Sequence, residues 1–264
     1  MRIGCTVGVD LDLVSASSDA FDFVEIGVGD GSLPPETIDP DRLATDLAGR
    51  DLLVHLPYSG TLTSYAPELN DGFVASQRRL LETVGDLGAE KAVLHATTAD
   101  RDDVEFREIA AEQLRRVADA GWDAGVEVVV ENVGHHHDGV QLSILGDLVR
   151  ETDLPVCFDI GHAYMEGGND AIKRFLRSHA DRISHLHLHD VRRRGDTHLP
   201  IGAGEIEYDP VRETLADFDG TVALEVFTDD TRLLADSAER AAEMLGTTFP
   251  TPEGNGTHTV IDDG

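Results

Sequence analysis

Basic residues are scarce in this chain of 264 residues. Aspartate and glutamate number 51 against 21 lysines and arginines, which gives a formal charge of −30, and Lys91 and Lys173 are the only lysines. Such a surface repels phosphate groups, which argues against an unspecific nucleic-acid-binding face. Self-repulsion favours solubility and opposes compaction in dilute salt, whereas molar salt screens it to a range of about 3 Å. The composition resembles that of proteins from salt-loving organisms.

Long apolar runs and a set of paired cysteines are also absent. No run of about 18 apolar residues occurs, so no transmembrane helix is predicted. The first residues, MRIGCTVGVDLDLVS, lack the basic start and apolar stretch of a signal peptide. We therefore expect a soluble, cytoplasmic protein. Cys5 and Cys157 do not make a disulfide framework, and each is predicted to be a small buried residue inside a strand.

Eight short apolar runs alternate with longer amphipathic stretches. The runs cover residues 2–9, 23–28, 52–57, 91–96, 126–132, 155–162, 183–190 and 222–227. Segments 73–89 and 106–125 carry apolar residues at the three-and-four spacing of helices. This order predicts an α/β fold, a single-domain (β/α)₈ TIM barrel over residues 1–246, followed by a polar and flexible tail over 247–264. A doubly wound open sheet is the alternative, although no G-x-G-x-x-G follows the first strand.

Polar residues stand at the C-terminal ends of six predicted strands, where barrel enzymes build their active sites. They are His55, His95, Glu131, Asp159, His187 and Glu225. Carboxylates packed in one barrel mouth repel and raise each other's pKa values, and a bound divalent cation removes that cost. Mixed imidazole and carboxylate ligands suit Zn, Mn, Fe or Co better than Ca. The sequence therefore predicts a divalent-metal site, with Mn or Zn as the expected ion.

The segment HLHLHDVRRRGDTHLPIGAGE, residues 185–205, concentrates histidines and charges. Strand alternation puts His185, His187 and His189 on one face of the seventh strand. His187 is placed best for the layer of metal ligands. His189 is interpreted as a support behind that layer, and His185 as a hydrogen-bonded core histidine.

The loop after this strand adds two potential ligands, Asp196 and His198. His162 follows Asp159 by three residues and adds another at the neighbouring strand. The run from Arg192 to Arg194 either binds a phosphate or carboxylate group or is a solvated charge run.

The motifs VVVENVG, CFDIGHAYMEGG, HLHLHD, GDTHLPIGAGEI and ALEVF together resemble those of the xylose isomerase-like barrel superfamily. That superfamily holds sugar phosphate isomerases and epimerases and the endonuclease IV type of AP endonuclease. The resemblance covers roughly residues 2–246. For the epimerase branch it implies that His162 contacts substrate and that one divalent ion has four ligands. Those ligands match Glu131, Asp159, His187 and Glu225.

For the endonuclease branch the resemblance implies a cluster of three metals with additional ligands. Those ligands match His55, His95, His162, Asp196 and His198. Every ligand type of the larger cluster is present in this chain, so the number of ions, from one to three, stays open.

Two enzymatic hypotheses follow. In the first, a sugar or sugar phosphate is isomerised or epimerised: the metal stabilises an enediolate, and Glu131 and Glu225 move protons from opposite faces while His162 orients an oxygen. In the second, several metals hydrolyse a phosphodiester at abasic DNA, and the two glutamates bridge metals. The compact, acidic chain without a long aromatic or basic insertion favours the first. A non-catalytic metal-binding protein on the same barrel is the third reading.

The preferred hypothesis implies a small-molecule sugar or sugar-phosphate partner. Nucleic acid is the less favoured partner, and no membrane is expected. A homodimer stays open, since relatives often pair. Substrate identity depends on loops such as residues 59–72, whose path the sequence does not set.

Overall fold

Eight parallel strands form one closed barrel in the computed structural model of the protein. The structure describes residues 1–17, 19–58, 60–98, 104–134 and 138–250. The strands are β1 Arg2–Gly8, β2 Phe23–Gly27, β3 Asp51–His55, β4 Ala89–His95, β5 Glu127–Glu131, β6 Val156–Asp159, β7 Ile183–Leu188 and β8 Thr221–Leu224. Closure comes from β8 and β1, which pair from Arg2 beside Thr221 to Cys5 beside Leu224. The predicted (β/α)₈ barrel is confirmed, and the open-sheet alternative is wrong because this sheet has no free edge.

A helix follows each strand and covers the outside of the barrel. The helices are α1 Asp12–Ala16, α2 Pro40–Leu47, α3 Pro67–Asp86, α4 Val104–Ala124, α5 Leu142–Thr152, α6 Ile160–His179, α7 Asp209–Thr214 and α8 Thr231–Leu245. Helix α3 begins six residues before its predicted start at 73, because Pro67 occupies the first turn, where its missing N–H costs nothing. Among the described residues, no helix combines the length and apolarity needed to cross a bilayer.

The main apolar core lies between the strands and the helices. Two small apolar clusters are separate from it, formed by Phe23, Leu53 and Ala223 and by Val93, Val129 and Cys157. Both cysteines are fully buried in strands, as predicted.

Toward the C-terminal ends of the strands, the inward-facing positions change from these apolar residues to the polar residues of the mouth. Residues two positions apart in a strand point to the same face, here the inside of the barrel. Two positions beyond Leu53, Val93, Val129, Cys157 and Ala223 stand His55, His95, Glu131, Asp159 and Glu225. Strand β8 ends at Leu224, earlier than predicted, yet the N–H of Glu225 still donates to the carbonyl of Leu188 at 3.0 Å. The ladder therefore continues far enough to fix Glu225.

The segment after α8 begins with residues that pack on the barrel. Phe249, which lies within the predicted tail, is buried, and its ring centroid is 5.1 Å from that of Phe21. Residues 251–264 lie outside the described residues, so a flexible tail stays a prediction for them.

Candidate metal centre

Four side chains meet at the centre of the barrel mouth. This central group consists of Glu131, Asp159, His187 and Glu225, whose potential ligand atoms all lie within 4.8 Å of one another. His187 Nδ1 is 3.2 Å from Glu131 Oε1, 3.6 Å from Glu225 Oε2 and 3.9 Å from Asp159 Oδ2. All four residues are buried. One imidazole nitrogen thus faces three carboxylates from three other strand ends.

The central group fits a divalent ion. Burying several carboxylates costs free energy unless a cation or hydrogen bonds compensate them. Asp159 Oδ2 is buried and accepts no hydrogen bond within the described parts of the chain. A donor set of carboxylate oxygens and one imidazole nitrogen matches the preferences of Zn and Mn.

Local backbone interactions fix Asp159 beside Glu131. Asp159 ends β6 and caps α6, because its Oδ1 accepts a hydrogen bond from the N–H of His162 at 2.6 Å. The amide of Asn132, next to Glu131 in the chain, donates to the Asp159 carbonyl at 2.8 Å and accepts from its N–H at 2.9 Å. Strand end and helix start therefore coincide, and no loop separates Asp159 from His162.

A first flanking group lies on the β3 and β4 side of the mouth. It consists of His55, His95 and Glu131, whose potential ligand atoms also lie within 4.8 Å. The Nε2 atoms of His55 and His95 are each 3.1 Å from Glu131 Oε2. His95 Nδ1 is buried without a hydrogen-bond partner among the described residues. The half-exposed ring of Tyr58 covers His55 at 4.4 Å.

A second flanking group lies on the opposite side, around the loop after β7. It consists of His162, His189, Asp196 and His198. Asp196 Oδ1 is 2.8 Å from His198 Nε2 and 3.8 Å from His162 Nε2. The His198 ring is stacked between His189 at 4.0 Å and the exposed Phe227 at 3.8 Å. All nine sequence-predicted ligands thus fall in the central group or in one of the two flanking groups.

The charges of the three groups shift the pKa values of their members. Burial raises the pKa of a carboxyl group, but nearby imidazoles outweigh it and lower the pKa of Asp159 to about 2 and that of Glu131 well below its usual range. Burial works against charge on His162, yet Asp159 and Glu131 raise its pKa to about 10. For His95, burial prevails and lowers the pKa to about 4. The mouth therefore favours ionised carboxylates in contact with imidazoles.

A buried carboxylate below the central group was not assigned from the sequence. Glu25 in the middle of β2 is fully buried and lies 3.1 Å from His185 Nε2 and 3.2 Å from His187 Nε2. Burial raises the pKa of Glu25, but the two imidazoles outweigh it and hold the pKa well below its usual range. Its position two residues after the inward-facing Phe23 was the signal available in the sequence.

Other candidates from the sequence lie outside the three groups. The side chains of Arg192 to Arg194 are exposed, and the Arg192 guanidinium donates to the carbonyl of Ala203. Arg193 and Arg194 have φ angles of 57° and 56°, in the left-handed region. Asp190 holds their loop by accepting from the N–H groups of Gly202 at 3.0 Å and Ile206 at 3.3 Å.

Several known proteins are similar to this chain. An uncharacterised protein of Methanocaldococcus jannaschii is 25% identical over 226 residues, which are 81% of this chain and 88% of that protein. Another protein of that organism is 30% identical, but the match covers only 41% of it. An inosose dehydratase of Erwinia tasmaniensis is 30% identical over 171 residues, or 55% of each chain. The chain thus spans about half the length of that enzyme.

Solved structures share the fold over nearly the whole chain. A D-tagatose 3-epimerase-like protein has a TM-score of 0.72 and 24% identity, with 93% of this chain and 97% of that chain covered. A protein named IOLI, solved with a zinc atom, has a TM-score of 0.75 and 17% identity, with 95% and 100% covered. At these identities the likeness shows the barrel. The family model described as xylose isomerase-like TIM barrel matches residues 13–247, and the chain belongs to that family.

Proposed function

We propose that this protein is a divalent-metal-dependent isomerase or epimerase of a sugar or sugar phosphate. The observation that carries the proposal is the central group, in which three carboxylates and one imidazole from four strand ends converge in a buried mouth. The similarity to inosose dehydratases and to sugar 3-epimerases supports the substrate class.

Glu131 and Glu225 are the proposed proton-transfer residues. Glu131 ends β5 and Glu225 follows β8, three strands further round the barrel. Their carboxylates therefore approach the space above His187 from different directions, as a transfer of a proton from one face of a substrate carbon to the other requires. Positioned general acids and bases of this kind contribute about 10²–10⁴-fold in rate.

His162 is the proposed substrate-orienting residue. Its Nδ1 lies 3.0 Å from the carbonyl of Asn132, which leaves the Nε2 edge facing the side of the mouth that holds Asp196. A ring held in this way would direct a hydrogen bond to a substrate oxygen.

Asp159 and His187 are proposed to hold the ion together with the two glutamates. When bound, a divalent ion supplies positive charge that stabilises negative charge on substrate oxygens. Mn and Zn remain the expected ions.

The test is solvent deuterium incorporation. Protein loaded with Mn²⁺, Co²⁺ or Zn²⁺ in molar KCl is incubated in D₂O with ketohexoses, their phosphates and inososes, and the products are analysed by mass spectrometry. We expect deuterium at the carbon that changes configuration, and a rate about 10²–10⁴-fold lower in Glu131→Gln and Glu225→Gln. Glu90→Gln is the matched control, because exposed Glu90 pairs with Arg2 at the start of β4, the end of that strand away from the mouth. A metal-loaded chain that labels none of these compounds contradicts the proposal.

The flanking groups favour a second candidate function, hydrolysis of a phosphodiester at abasic DNA by several metals. Each flanking group could hold an ion of its own, and Glu131 belongs to both the central and the first flanking group. The net charge of −30 opposes DNA binding unless salt screens it. The test is elemental analysis together with an assay on an abasic duplex in molar KCl. If the chain holds two or three zinc ions and cleaves the duplex, this function replaces the first proposal.

A further inference from the structure

Glu25 is a fully buried carboxylate on a barrel strand, and it belongs to none of the three groups. Three donors surround it: Thr6 Oγ1 at 3.1 Å from Oε1, His185 Nε2 at 3.1 Å from Oε2, and His187 Nε2 at 3.2 Å from Oε1. A carboxylate accepts hydrogen bonds only, so each of these contacts requires a proton on the partner atom. Glu25 therefore requires that His187 carry a proton on Nε2.

Lys91, at the end of the barrel away from the mouth, determines which atoms donate in these hydrogen bonds. The ammonium of Lys91, which can only donate, lies 2.9 Å from the Ser184 carbonyl and 3.2 Å from Thr221 Oγ1. Thr221 accepts from Lys91, and its hydroxyl proton goes to His185 Nδ1 at 2.7 Å, a shorter contact than the 3.4 Å to the Ser184 carbonyl. His185 then carries its proton on Nε2 and donates it to Glu25. One buried cation thus orients the protons along a chain of four side chains.

The other end of this chain of hydrogen bonds is the metal ligand. With Nε2 of His187 donating to Glu25, Nδ1 is the nitrogen left to bind a metal. It faces the carboxylates of the central group, 3.2 Å from Glu131 Oε1 and 3.6 Å from Glu225 Oε2. Hydrogen bonds to the non-ligating nitrogen fix the tautomer and ring orientation of metal-binding histidines in general. We propose that Glu25 is a positioning residue that holds His187 with Nδ1 toward the metal site.

Packing alone does not account for a carboxylate at this position. The residues beside it on the inner face, Phe23, Leu53 and Ala223, form a fully buried apolar cluster. Burying an ionised carboxylate is unfavourable unless hydrogen bonds compensate for its lost hydration. An apolar side chain would fill the space but would leave His187 free to rotate or to change tautomer. The inference rests on the metal site of the proposed function and not on its reaction.

The first test compares metal affinity in Glu25→Gln and in the matched control Glu90→Gln. The glutamine amide has one acceptor oxygen, and its NH₂ group faces a donor, so one imidazole must turn or change tautomer. Competition with a chelator in molar KCl should show about 10–100-fold weaker Zn²⁺ and Co²⁺ binding in Glu25→Gln and no change in the control. Unchanged affinity in a folded Glu25→Gln protein, checked by circular dichroism after chelation, overturns the role of Glu25.

The second test needs no substitution at Glu25 and therefore does not depend on the folding of that variant. Long-range ¹H–¹⁵N NMR spectra of the zinc-loaded chain report which nitrogen of each imidazole is protonated, and the signals of His187 are assigned by their loss in His187→Gln. We expect a proton on Nε2 and zinc on Nδ1. Coordination through Nε2 overturns the inference and leaves the proposed function standing. A wild-type chain that binds no metal overturns both.

Discussion

Asp159 caps a helix and is a proposed metal ligand, and two substitutions should separate these roles. Its Oδ1 caps helix α6 through the N–H of His162 at 2.6 Å, and its Oδ2 faces His187 without a hydrogen bond of its own. Asparagine retains a capping oxygen but loses the negative charge. Alanine loses both the cap and the charge. We therefore expect the asparagine and alanine variants to differ in stability when metal is absent. Neither variant is expected to bind metal.

The magnitudes follow from the two contacts. Loss of an N-cap costs about 0.5–2 kcal/mol, whereas asparagine caps a helix about as well as aspartate. For a chain of this size, about 1 kcal/mol corresponds to a change in Tm of about 2–4 °C. Residues that merely support metal ligands alter affinity about 10–100-fold, so the loss of a charged ligand should cost at least about 100-fold.

The assay combines thermal unfolding of chelated protein with metal content after dialysis against Zn²⁺ or Mn²⁺. Asp159→Asn should unfold at a higher temperature than Asp159→Ala, and both should retain far less metal than wild type. Equal Tm values for the two variants would refute the capping role. An Asp159→Asn protein that retains the wild-type amount of metal with wild-type affinity would refute the role of Oδ2 as a ligand.

Three further predictions concern stability. Metal-free protein should be most stable near pH 6.5, measured by denaturant unfolding in the presence of a chelator. The contribution of His162 to stability is complete below pH 6.5 and is lost as the pH rises toward its folded pKa of about 10. The contribution of His95 is complete above pH 6.5 and is lost as the pH falls toward its folded pKa of about 4. A monotonic profile would contradict this. Gly161→Ala should lower the free energy of unfolding by about 1–3 kcal/mol, because the new methyl would lie 2.1 Å from the ring of His189, whereas Gly72→Ala, with open space around it, serves as control. The Tm should rise with KCl from about 0.1 to 1 M, as the Debye length falls from about 10 to 3 Å, and a constant Tm would show that the net charge does not limit stability.

The sequence predicted the barrel and the polar side chains that meet at its mouth, because both depend on periodicity that a single chain displays. Apolar runs at regular intervals marked the strands, and polar residues at strand ends marked the mouth. The role of Glu25 could not be recognised in this way, since its partners lie on β7 and β1, and only the closed barrel brings them together. Phe249 was likewise missed because a single aromatic residue in a polar segment gives no periodic pattern, although it packs on Phe21.

The order in which the barrel closes has a kinetic consequence. The last pairing joins the two ends of the chain, Arg2–Cys5 with Thr221–Leu224, across more than 200 residues, and the candidate ligands come from β3 through β8. Contacts of such long sequence separation form late, because loop closure must precede them. The ion of the central group needs the ends of β5 through β8 in place, so we expect it to bind only after the folding barrier is crossed. Metal should therefore lower the unfolding rate and leave the refolding rate unchanged. The stability of the metal-loaded protein would then be kinetic, set by how slowly the closed barrel opens.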